Sequence, residues 1–87
     1  MLPGAEIIEK GIDDLKTERE TVESLLVSIG SPRLRAAGIH IPATTFPSPE
    51  HRLYELLRTQ DARTAHSKYN ALIRRLVSFE RAAECVK

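Results

Sequence analysis

Apolar side chains recur along this chain at alternating steps of four and three, in two stretches separated by a region rich in glycine and proline. In the first stretch Ile8, Ile12, Leu15, Val22, Leu26 and Ile29 keep the register, with Arg19 at its one polar position and Leu25 beside it. In the second, Ala65, Tyr69, Leu72, Leu76, Phe79, Ala83 and Val86 do the same, and Ile73 and Val77 widen the stripe. Such steps hold a stripe on one face of a helix.

The punctuation between the stripes sets the expected boundaries. Pro3-Gly4 breaks the chain ahead of a first helix from about Ala5 to Ile29, and Gly30 reads as its stop. Gly11 weakens that helix by about 1 kcal/mol relative to alanine. Ser31 and Pro32 then resemble the cap and first position of a short helix ended by Gly38. From Gly38 to Pro47 two prolines enforce extended chain, and Ile39, Ile41 and Phe46 are too apolar for a freely solvated loop. They are expected to fold back onto the helices. Ser48-Pro49-Glu50 starts the last helix, with Ser48 as the capping side chain. At Gln60-Asp61 the apolar register slips. The main reading carries the helix through to about Val86. The alternative breaks it near Asp61, where the acid can cap a new helix, and gives a monomeric three-helix bundle.

The fold expected is therefore all-α: one domain over residues 1–87, with a helix at about 5–29, a linker of short helix and extended segment at 30–48, and a helix at about 49–86. In an antiparallel hairpin the first helix is about 37 Å long and the second about 57 Å. Ile8 then falls opposite about Asn70, and nothing in the first helix reaches the segment beyond Leu72. Exposing Leu72, Ile73, Leu76, Val77 and Phe79 would forfeit roughly 1.5–3 kcal/mol each. A homodimeric four-helix arrangement, or a different protein, would cover them. These five residues, with Ile39, Ile41 and Phe46 of the loop, form the predicted protein interface.

Composition narrows the picture without naming a function. A chain of 87 residues makes one domain with a marginal core, and with two Phe, two Tyr and no Trp that core must be aliphatic. The net charge is +1, but residues 1–29 hold seven acidic and three basic side chains, and residues 30–87 hold ten basic and five acidic. Arg33, Arg35, Arg74 and Arg75 give a second reading, nucleic-acid binding, because guanidinium suits phosphate. Glu50, Glu55, Asp61, Glu80 and Glu84 interrupt the basic series, and the net charge is small for such a domain.

No reaction chemistry stands out. Cys85 is the only cysteine, so no internal disulfide can form, which favours a reducing compartment. His40, His51, His66 and Cys85 are scattered, without the spacing of a metal site. There is no glycine-rich phosphate loop. No apolar run reaches membrane-spanning length and the start lacks a signal-peptide pattern, so a cytoplasmic location is expected. The sequence thus points to a non-catalytic module without a cofactor or metal, and no motif in it identifies a ligand.

Overall fold

The computed structural model describes residues 2–43 and 45–85. Within them the chain is all-helical: α1 (Ala5–Lys16), α2 (Val22–Ala36), α3 (Pro49–Gln60) and α4 (Ala65–Cys85). Val86, expected at the end of the last helix, lies outside the described residues. Both long helices of the sequence reading are broken once, which turns the expected hairpin into four shorter helices.

The first break has a local cause. Glu18 takes a left-handed conformation (φ 57°) just past the end of α1. Its N–H reaches the Leu15 carbonyl (3.0 Å), and the Arg19 N–H reaches the Asp14 carbonyl (2.8 Å). This pair of bonds is the Schellman closure usually built on glycine. Three residues on, Thr21 caps α2. Its hydroxyl oxygen accepts from the Ser24 N–H (3.1 Å), and the Ser24 hydroxyl oxygen accepts from the Thr21 N–H (2.8 Å). Arg19 therefore sits exposed in a corner, not on a helix seam.

Asp14 fastens this corner. It is buried, accepts from the Thr21 hydroxyl (2.7 Å) and receives the Lys10 ammonium (2.9 Å). The Thr21 hydroxyl, then Lys10, holds the Asp14 carboxyl below the usual carboxylate range. Folding thus favours the ionised form. The stabilisation is complete above the ordinary carboxylate pKa and is lost as pH falls through the lowered one. Asp14→Asn is expected to lower Tm by roughly 5–10 °C at neutral pH. Melts taken across the acid range should show the gap from the parent protein closing as pH drops; a gap independent of pH would mean the carboxylate is not the fastening group.

The second break is at Asp61, where the alternative reading of the sequence places it. Asp61 is extended (φ −162°, ψ 100°), which ends α3, and its carboxylate accepts the Arg63 N–H (3.0 Å). The chain turns through residues 61–64 and starts α4. With α1 and α2 also separate, the bundle has four helices where that alternative expected three.

Between the breaks α2 runs straight through Gly30-Ser31-Pro32, so Gly30 is not a stop and Ser31 is not a cap. Pro32 lacks the N–H that would bond the Ser28 carbonyl. The Ser31 hydroxyl donates to that carbonyl instead (3.1 Å), filling the vacancy from within the helix. Gly38 is a helix terminus, as expected, but it ends α2 and not a separate short helix: it is left-handed (φ 89°), and the Gly38 and Ile39 N–H groups bond the Arg35 and Leu34 carbonyls (both 3.0 Å). At the start of α3, Pro49 occupies the first turn as read, but the Ser48 side chain makes no capping bond, because Ser48 is itself left-handed.

α2 lies at the centre and packs against α1, α3 and α4. Leu25, Leu26, Val27 and Leu34 are fully enclosed. Two glycines set the close approaches. Gly11 of α1 lies against Glu23 and Val27 of α2, and Gly30 of α2 lies against Leu76 and Glu80 of α4. The break at Asp61 lets α4 return over the bundle, so the longest dimension is 39 Å, well short of a 57 Å helix. The overhang implied by two long helices therefore does not exist. Leu76, Phe79 and Ala83 are buried by the same chain, with Gly30 beside Leu76 and Gly4 beside Phe79.

The connection from α2 to α3 folds back, as its apolar residues suggested. Ile41 is buried, and Ile39 and Phe46 pack half-buried on the core. The Phe46 N–H donates to the Ser28 hydroxyl (3.3 Å), and Arg35 donates to the Pro42 carbonyl (2.7 Å).

Candidate functional site

An open groove of about 630 Å³ lies where the start of α2, the end of α3 and the first half of α4 meet. From the α1–α2 corner and the first turn of α2 come Glu20, Thr21, Val22 and Glu23. The last turns of α3 add Leu56, Leu57 and Gln60. Lys68, Ala71, Leu72 and Arg75 come from α4, on one face at steps of three, one and three. The volume is in the range of sites that take small molecules or a few side chains. Its floor is aliphatic, its rim on the α2 side acidic, and its rim on the α4 side basic.

The groove depends on both helix breaks. Without the Glu18 corner, Glu20 and Glu23 would point along a continuous helix, and without the Asp61 turn α4 could not lie beside α3. Neighbouring side chains brace the rims. Glu20 pairs with Arg52 (Nε to Oε2 3.1 Å), and the Arg52 guanidinium lies over the Phe46 ring (5.6 Å to its centroid). Phe46 thus reaches the acidic rim through one intervening arginine. Arg75 donates to Glu6 (2.9 Å), which ties the basic rim to α1. Tyr54 and Tyr69 meet edge to face (5.8 Å between centroids) and join α3 to α4.

The predicted interface residues do not share one surface. Leu72 alone of them lines the groove. Ile73 and Val77 are half-buried elsewhere on α4. Leu76, Phe79 and Ile41 belong to the core, so as folded they are not a contact stripe. Ile39 and Phe46 keep partial exposure on the loop.

The arginines of the second reading are dispersed as well. Arg33 forms a fork onto Glu84 (2.7 and 2.9 Å) and also reaches Glu80 (3.4 Å). Arg35 is bonded to the Pro42 carbonyl and Arg75 to Glu6, while Arg74 is exposed. Glu80 is buried against α2, and burial pushes its carboxyl up; Arg33 opposes the rise and Glu84 adds to it. Its contribution to stability is therefore full at low pH and lost as pH rises through the raised pKa.

Among the described residues, no three His, Cys, Asp or Glu side chains gather to hold a metal ion. His40, His51 and His66 are exposed, and so is Cys85. No described helix is long and apolar enough to cross a membrane.

None of the protein-family models, curated proteins or solved structures compared with the chain matches it. The functional reading therefore rests on the groove and its chemistry. Sequence reasoning missed the groove because its three walls are far apart in the chain. The local signal was Lys68, Ala71, Leu72 and Arg75, a helix face with a small apolar centre between two cations.

Proposed function

We propose that this chain is a non-catalytic protein-binding or assembly module, and that it binds a second copy of itself or another protein through the groove between α2, α3 and α4. The observation that carries this reading is the groove itself: aliphatic side chains from three helices stand open to water between charged rims. Recognition of a helical segment needs such an apolar trough, with polar groups at its edges to set orientation. Leu72 is the central contact. Phe46 supports the acidic rim through Arg52, and this is the part the loop plays in binding. Arg33 and Arg35 are each engaged by an acceptor within the chain, so the four arginines of the second reading present no shared free face, and no observation favours nucleic acid over protein as the partner.

A helical peptide with leucines at i, i+3, i+4 and i+7, and with uncharged flanks, is the probe. Titrated into the labelled protein, it should shift the amide resonances of Val22, Leu56, Ala71 and Leu72 saturably. Leu72→Asp should abolish the shifts while leaving the circular dichroism of the free protein unchanged. Shifts spread over other faces, or insensitive to Leu72→Asp, would count against the groove.

A further inference from the structure

Resting on the groove reading above, we infer that the occupant is an amphipathic helical segment of a different protein, with basic side chains along one flank of its apolar edge and acidic side chains along the other. Glu20 and Glu23 edge the α2 side; Lys68 and Arg75 edge the α4 side. Glu20, Glu23 and Arg75 have ionic neighbours outside the groove, but they keep 38%, 29% and 50% of their side chains in water. Lys68 makes no ion pair with a described residue. The two rims thus retain opposite signs across an apolar floor.

The dimensions suit a short helix. Lys68 to Arg75 spans about 10 Å along α4, two turns of a helix laid alongside it. A ligand charged alike on both flanks meets one rim of its own sign, whereas a segment with one flank of each sign meets none. Reversing such a helix end for end exchanges its flanks, so one of its two directions always matches the rims. Charge thereby selects the ligand and also fixes its polarity in the groove. A second copy of this chain fits less well. Two facing grooves would enclose an empty space, and Leu76 and Phe79 of the α4 stripe are already buried and cannot fill it.

Three peptides with the same leucine edge test the inference: one with lysine on both flanks, one with glutamate on both, and one with a flank of each. Affinities are measured by fluorescence anisotropy at low salt, on the full chain and on its Lys68→Glu variant, whose substitution site is exposed. The mixed peptide should bind the parent protein about tenfold more tightly than either uniform one, with the advantage shrinking as salt is added. Lys68→Glu should move the preference towards the lysine-flanked peptide. Equal affinities for all three would overturn the charge rule and leave the groove reading standing. No binding by any of the three to a protein that light scattering shows to be monomeric would remove both. Light scattering across concentration supplies the other arm. A dimer that dissociates on Leu72→Asp would mean that a second copy occupies the groove; this would overturn the inference and keep the protein-binding function.

Discussion

Gly11→Ala is expected to destabilise the protein by about 3 kcal/mol, although helix propensity alone predicts a gain of about 1 kcal/mol. The sign follows from the crossing of α1 and α2. A methyl group at Gly11 would press into the Glu23 carbonyl, stand 2.9 Å from the Glu23 carbonyl carbon and 2.5 Å from Val27 Cγ2. Rotation of a side chain cannot move a carbonyl on the neighbouring backbone. The helices must separate, and separation opens the layer where Ile8, Leu15 and Val27 are buried. Tm should fall by more than about 10 °C. Thermal and urea melts decide it: an unchanged or raised midpoint would mean that α1 and α2 are not in backbone contact at Gly11.

Leu76→Asp is expected to unfold the protein, whereas Leu72→Asp, one turn away on the same helix, should leave it folded. Leu76 is buried against Gly30 at the crossing of α2 and α4. Removing its side chain costs roughly 2–5 kcal/mol, and placing a carboxylate there adds the desolvation of a charge next to buried Glu80. The sum approaches the whole stability of a small domain. Leu72 is half-buried in the groove, open to water on that side, so an aspartate there can turn towards water at a cost of about 1–2 kcal/mol. Circular dichroism of the two variants separates these outcomes. A folded Leu76→Asp protein would mean that α4 is not seated on α2.

The contrast between these two leucines shows how far the sequence could be read. Their spacing placed both on one stripe of one helix, and they do lie on one helix. It did not say which of them the chain would cover, because that depends on where α4 turns back. The turn at Asp61 is visible in the sequence as a slip in register and an acid able to cap, although no glycine or proline there forces a break. The break after α1 was not visible. Its closing residue is Glu18 in a conformation usually left to glycine, and its cap is Thr21 with Ser24 where a glutamate or glutamine is the familiar partner. The apolar register of the first stretch also continues across the corner, so periodicity could not reveal it. Gly30-Ser31-Pro32 misled in the opposite direction. The motif has the composition of a helix stop followed by a helix start, yet Ser31 bonds the carbonyl that Pro32 leaves vacant, and Gly30 is small because α4 crosses there.

Periodicity and punctuation alone established an all-α chain, the helical character of both stripes, the Gly38 terminus and a loop that folds back. These are local matters of backbone preference and of which side chains share a face. The position of α4, the burial of Leu76 and Phe79, the purpose of Gly11 and Gly30, and the groove with its two oppositely charged rims came from packing. Each depends on two or three segments distant in the chain meeting at van der Waals range, and no local preference encodes such a meeting. It emerges when helices of these lengths, joined by these corners, find the arrangement that hides the most apolar surface.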